Sequence, residues 1–167
     1  DHAFDGCSSL KEIIIPSSVI EIGNSAFKGC FSAVKIAIPS SVTRICSACF
    51  SNCSSVTKVT IPSSMTKIVS YLFSECSSLE EIIIPSSITN IDDFAFLSCS
   101  SLKQIIIPNS VTRIGKNAFQ NCKSLTQVVF ESPSSLTEID DFAFKECSSL
   151  KEITIPFSVT KRGSGIF

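Results

Sequence analysis

The residue types that could do covalent, metal or acid–base chemistry here are cysteine, histidine, serine and paired carboxylates, and the chain has nine cysteines but one histidine. His2 is that histidine, so neither a Ser-His-Asp nor a Cys-His arrangement has a base from which to be built. Cys46, Cys49 and Cys53 form a C-x-x-C-x-x-x-C run whose spacing could suit zinc, but no fourth ligand lies near. The competing reading is a ladder of small, soft core residues, because Cys7, Cys30, Cys53, Cys76, Cys99, Cys122 and Cys147 share one recurring slot. Register-equivalent thiols point the same way, whereas a disulfide needs Cβ atoms roughly 3.8 Å apart and turned towards each other. If any pair is reactive it is Cys46 with Cys49, because Cys46 takes the turn slot that Gly23 and Gly115 hold elsewhere. The pairs Asp92 with Asp93 and Asp140 with Asp141 could serve acid–base work or calcium. They share their slot with Gly23 and Asn24, where short polar side chains cap turn N–H groups. The six glycines are scattered and make no phosphate-cradling loop. The expectation is a protein with no catalytic residue, no metal and no cofactor, and not an enzyme.

The elements that must position these residues are set by a repeat. Pro16, Pro39, Pro62, Pro85, Pro108, Pro133 and Pro156 fall 23 residues apart, with one interval of 25 that places Glu131 and Ser132 as an insertion. Phe4, Phe27, Phe50, Phe73, Phe96, Phe119, Phe144 and Phe167 keep the same beat. A period this short marks a solenoid, whose units bury their apolar faces only by stacking on one another. Within a unit Leu10, Ile13 and Ile15 alternate as half-buried strand residues do, and Pro16 ends the ladder because it has no N–H. A second apolar pair three apart, such as Val19 with Ile22 or Val111 with Ile114, suits a brief extended or turn segment on the opposite wall. The Ala-Phe step, followed by cysteine and serines, reads as a tight 3₁₀-like turn that drives the phenylalanine inward. The predicted fold is mainly β with short turns or 3₁₀ segments, a parallel sheet on one face and little or no α-helix. About seven units over residues 1–167 form a single repeat domain, stacked into a rod roughly 35 Å long.

The unit Ala-Phe-x-x-Cys-Ser-Ser-Leu-x-x-Ile-x-Ile-Pro-Ser-Ser-Val-x-x-Ile-Gly resembles the BspA-like subclass of leucine-rich repeats along the whole chain. Ser18, Ser41, Ser64, Ser87, Ser110, Ser135 and Ser158 stand where the commoner leucine-rich pattern has an Asn or Cys ladder, so hydroxyls are expected to supply a shorter one. The resemblance implies a leucine-rich-repeat solenoid from a cell-surface or secreted protein, adhering to a host or extracellular-matrix protein. The chain opens inside a unit and closes on Ile166 and Phe167 in the Ala-Phe slot, without a polar cap. A segment of a longer protein is therefore expected.

Composition narrows the partner. A formal net charge of −1 provides no broad basic surface for nucleic acid or anionic membrane. No stretch approaches the roughly 20 apolar residues of a membrane span, so no membrane insertion is expected in this segment. A partner would be met by residues alternating with the core on the strand face: Glu12 and Ile14, Lys35 and Ala37, Lys58 and Thr60, Glu81 and Ile83, Gln104 and Ile106, Gln127 and Val129, Glu152 and Thr154. Ile83, Ile106 and Val129 then form an apolar stripe beside Glu81, Gln104 and Gln127, which fits a protein contact and fits ordinary β-propensity equally. Arg44, Lys67, Arg113 and Lys161 form a looser basic row, read as a solvated face. A binding or adhesion module and a structural spacer or intracellular scaffold are the two functions these features allow. One sequon, Asn52-Cys53-Ser54, would put a glycan on the turn face of a secreted chain.

Overall fold

A computed structural model describes all 167 residues as a right-to-end stack of about seven coils without helix. Each coil contributes a longer strand and a shorter one, which form two walls. The first wall holds β1 (Glu12–Ile14), β3 (Lys35–Ala37), β5 (Lys58–Thr60), β7 (Glu81–Ile83), β9 (Gln104–Ile107) and β11 (Gln127–Phe130). The second holds β2 (Glu21–Ile22), β4 (Arg44–Ile45), β6 (Lys67–Ile68), β8 (Asn90–Ile91), β10 (Arg113–Ile114), β12 (Glu138–Ile139) and β13 (Lys161–Arg162). All pairing is parallel, with partners 23 residues apart or, across the insertion, 25, as for Arg113 with Glu138. The second apolar pair thus makes genuine strands, and parallel pairing occupies both walls where the repeat suggested one.

Inward alternation is as expected. Ile13, Ile36, Val59, Ile82, Ile105 and Val128 are buried from the first wall, and Ile22, Ile45, Ile68, Ile91, Ile114 and Ile139 from the second. The walls meet in one continuous core of 45 buried apolar residues. Its spine is the phenylalanine column from Phe4 to Phe167, whose successive ring centroids lie 5.0 to 6.3 Å apart with interplanar angles of 2° to 17°. Offset parallel rings at this spacing are favourable beyond their burial.

The turn that carries each phenylalanine is tight, but it is not a 3₁₀ segment. Residues two before and two after the ring sit at positive φ, as in Ala48 and Asn52 around Phe50 or Tyr71 and Glu75 around Phe73. A left-handed residue breaks any run of 3₁₀ geometry. It also turns alternate N–H groups along the rod axis, and three bonds per coil reach the next coil: Tyr71 N–H to Asp93 O (3.2 Å), Phe73 N–H to Ala95 O (2.9 Å) and Glu75 N–H to Leu97 O (2.7 Å). The same bonds recur at every phenylalanine up to Phe119. Placing L-residues in the left-handed region costs roughly 1–2 kcal/mol each, which the inter-coil ladder offsets.

The recurring cysteines add to this edge. Cys53, Cys76, Cys99, Cys122 and Cys147 each donate the thiol S–H to the carbonyl of the phenylalanine one coil back, at 3.1 to 3.3 Å. The slot therefore wants a small apolar side chain with one donor. At the corner between the walls the serine ladder forms as well: Ser41, Ser64, Ser87 and Ser110 hydroxyls donate to Val19, Val42, Met65 and Ile88 carbonyls at 2.5 to 2.8 Å.

Candidate protein-binding face

The first wall presents the residues singled out for binding. On β7, Glu81 and Ile83 point outward, and on β9 so do Gln104 and Ile106; the two isoleucines are 46 % and 48 % exposed. Register sets Gln127 opposite Gln104 and Val129 opposite Ile106 across the β9–β11 ladder. Strands β7 and β9 lie side by side without a backbone ladder, yet Glu81, Ile83, Gln104 and Ile106 line one surface cavity of about 490 Å³. Glu80, Lys103 and Glu131 share it. Lys103 pairs with Glu80 at 2.7 Å across the seam, and Lys58 with Glu81 at 2.9 Å across the β5–β7 ladder. The geometry is an apolar strip of branched side chains with carboxylates, amides and one lysine at its border. Such a surface can bury apolar area and offer hydrogen bonds, and it holds no nucleophile beside a base.

The sequence alone did not reveal how the second wall handles charge. Its outward row places opposite charges together at both ends of the rod, with Glu21 registered to Arg44, Arg113 to Glu138 and Glu138 to Lys161, while Lys67 and Arg113 flank the neutral Asn90. Arg44 pairs with Glu21 at 3.3 Å. Arg113 meets Asp93 at 3.0 Å, also contacts Asp140, and has Asp92 at 3.9 Å and Glu138 at 4.0 Å. Three members of the basic row, Arg44, Arg113 and Lys161, are thus paired with carboxylates. Burial lowers the Arg113 pKa, but its bonds to Asp93 and Asp140 outweigh that and hold the guanidinium above its ordinary value. Burial pushes the Asp92 and Asp140 carboxyls up, while the bond from Lys161 draws Glu138 down.

The aspartate pairs divide their labour. Asp93 Oδ1 accepts the Lys116 N–H at 2.9 Å and Asp141 Oδ1 the Ser164 N–H at 2.7 Å, so the second member caps the next coil, not its own turn. Arg113 is met by both members of the first pair, Asp93 more closely than Asp92, and by the first member, Asp140, of the other. Gly115 and Gly163 sit above these caps because a Cβ there would lie 2.4 Å from Asp93 Oδ1 and 2.2 Å from Asp141 N. A motif search could have found this by noting that glycine follows aspartate one period on.

The C-x-x-C-x-x-x-C run is split by the fold. Cys49 and Cys53 are wholly buried and their thiols are pushed up by burial, Cys53 to about 12. Cys46 lies half-exposed at the other side of the turn, with its thiol 3.7 Å from Glu21 Oε1. Asn52 of the sequon is half-buried, and its N–H is bonded to Ser74 O at 2.7 Å.

Similarity to known proteins agrees with this architecture. Residues 1–97 and 66–167 match the model of the BspA type leucine rich repeat region, in six copies. A leucine rich cell surface protein of Faecalibacterium prausnitzii is 35 % identical over 74 % of this chain, with a TM-score of 0.71. The chain spans 32 % of that protein's length. The T. pallidum leucine rich repeat protein is 29 % identical over 90 % of this chain and 70 % of its own, with a TM-score of 0.81. The pneumococcal vaccine antigen PcpA shares the fold at 23 % identity, over 92 % of this chain and 47 % of its own, with a TM-score of 0.55. No curated protein matches the chain. No helix is long and apolar enough to cross a membrane. With its 23-residue coils, phenylalanine column and six matched copies, the chain belongs to the BspA-type leucine-rich repeat family, a class of repeat module for protein interaction.

Proposed function

We propose that this chain is a non-enzymatic adhesion module of a longer cell-surface or secreted protein, and that Glu81, Ile83, Gln104, Ile106, Gln127 and Val129 contact a host or extracellular-matrix protein. The observation that carries this reading is the pair of half-exposed isoleucines, Ile83 and Ile106, lining one cavity with Glu81 and Gln104. An apolar strip on the outer side of a strand wall has no role in the core and fits a contact surface. The cell-surface description of the F. prausnitzii protein, which is more than twice as long, supports the location and the larger parent. The single histidine, His2, is bonded to Asp5 and to no serine or thiol, which supports a binding role over a catalytic one.

The test is binding of the purified chain to immobilised extracellular-matrix proteins. Wild type should bind at least one, and the double variant Ile83→Glu with Ile106→Glu should lose at least tenfold in affinity while keeping its circular dichroism spectrum. Equal binding by both proteins would remove these residues from the contact. No binding by either would favour a spacer or scaffold.

A further inference from the structure

One of the open seams of the first wall lies beside the two-residue insertion. Strand β11 pairs with β9 on one side only. Residues 151–155 of the next coil face its other side, and no backbone hydrogen bond joins the two, as at the β3–β5 and β7–β9 seams. Between them lies a cleft of about 510 Å³ lined by Val128 and Phe130 of β11, Glu131 of the insertion, and Thr154, Phe157 and Ser158 of the last coil. The facing backbone groups are unpaired on both sides, and open strand edges of this kind are templates for pairing.

Two side chains set this cleft apart from the other seams of the wall. Ser158 Oγ is buried without any hydrogen-bond partner, alone among the buried side-chain polar atoms of the chain. Its counterparts Ser41, Ser64, Ser87 and Ser110 all donate to a carbonyl 22 residues back. A buried orphan hydroxyl needs a partner. Phe157 stands where Ser17, Ser40, Ser63 and Ser86 stand in other coils, and it is fully exposed at the rim. Glu131 is the only charged side chain lining the cleft, and no lysine or arginine pairs with it.

We infer that this cleft receives an extended peptide strand of a partner protein, inserted between β11 and residues 151–155, with an apolar side chain against Phe157 and a basic one against Glu131. Strand addition supplies affinity through main-chain bonds and specificity through alternate side chains. An extended backbone is the chemistry that satisfies two facing edges at once, and the uncompensated carboxylate selects a cationic residue over an anionic one. This site adjoins the strip of Ile83 and Ile106 through Val129 and Glu131, but Phe157, Thr154 and Ser158 belong to it alone, and it stands whether or not that strip binds.

The probe is a fluorescein-labelled Val-Lys-Val-Lys-Val-Lys peptide, capped at both ends, read by fluorescence anisotropy and by amide hydrogen exchange. Wild type should bind it, and exchange at residues 151–155 should slow at least tenfold. The same peptide N-methylated at alternate residues should bind at least tenfold more weakly. Phe157→Ala with Glu131→Lys should weaken binding at least tenfold, while Ile83→Glu with Ile106→Glu should leave it unchanged. Equal binding of the N-methylated peptide, equal binding by the Phe157 and Glu131 variant, or unchanged exchange at residues 151–155 would each overturn the inference. A concentration-dependent dimer that protects residues 151–155 without peptide would overturn it in favour of a second copy as occupant.

Discussion

The second wall and the turn edge are closed along most of the rod, whereas the first wall is open at alternate coils. Strands β6, β8, β10, β12 and β13 form one five-stranded sheet, but the longer strands pair only two by two, as β1 with β3, β5 with β7 and β9 with β11. The difference follows side-chain donors. On the second wall the hydroxyls of Thr89, Thr112 and Thr137 each donate to the threonine carbonyl one coil back, at 3.1 to 3.2 Å, and the serine ladder runs beside them. The first wall has one such bond, Thr126 Oγ1 to Lys103 O, and it lies at the laddered β9–β11 step. Strand length is therefore a poor guide to cohesion here. A two-residue strand with a hydroxyl at each step is joined more continuously than a four-residue strand with branched, outward side chains. The lesson for function is that the open wall is where surface and backbone remain free for a partner.

The largest effect expected is on the turn edge. Phe73→Ala removes a fully buried ring stacked on both sides and should cost about 3–5 kcal/mol in denaturant unfolding. The loss should appear first in the neighbouring coils, as nearest-neighbour coupling requires; uniform loss along the rod would break the comparison.

The thiols give the same edge an alkaline limit. Cys53 titrates near 12 in the fold because burial disfavours its thiolate, against an ordinary value of 9.0, and burial raises Cys49, Cys76, Cys99 and Cys122 likewise. A raised folded pKa means the stability is fully present below the ordinary thiol range and is lost as pH rises from there towards the folded values. The Tm should accordingly fall between pH 8.5 and 11, and at pH 8 a thiol reagent should label Cys7 and Cys46 quickly and the buried seven slowly. Rapid labelling of all nine would show that the edge opens.

Gly115→Ala should cost roughly 1–3 kcal/mol, because the new Cβ meets Asp93 Oδ1 at 2.4 Å and the Asp93 backbone N at 2.7 Å. The smallest pair sharpens the contrast between walls. Ser110→Ala deletes the bond to Ile88 O at 2.6 Å and should cost about 1 kcal/mol, whereas Ile106→Glu on the first wall should change stability by less than about 0.5 kcal/mol. If the outward isoleucine proves the costlier of the two, the first wall is as tightly built as the second.

The period made most of the fold legible. Phenylalanine, cysteine and isoleucine slots recur, so the column, the inward faces and the serine ladder could be read from spacing alone. The left-handed residues after the ring carry a signal in Gly6, Gly29, Asn52 and Asn121, but those before it were not legible, because their slot holds Ser25, Ala48, Tyr71, Phe94, Asn117 and Phe142, which share no propensity for positive φ. Only Asn117 belongs to the types that visit that region readily. The inter-coil bonds impose it. The second strand was hidden by its length of two residues. The Arg113 cluster was hidden because its carboxylates come from positions 92, 93, 138 and 140, which become neighbours only when coils stack across the insertion. For the candidate site, alternation identified Ile83 and Ile106 as outward, but the cleft beside β11 was invisible, since a regular repeat does not say at which coils neighbouring strands stay unpaired.

Residue-resolved hydrogen exchange tests the account most directly. The amides of Phe50, Phe73, Phe96 and Phe119, each bonded to the next coil, should exchange at the rate set by global unfolding, and those of residues 151–155 at least 100-fold faster. Equal protection of the two sets would contradict a molecule with a continuous turn edge and an open first wall.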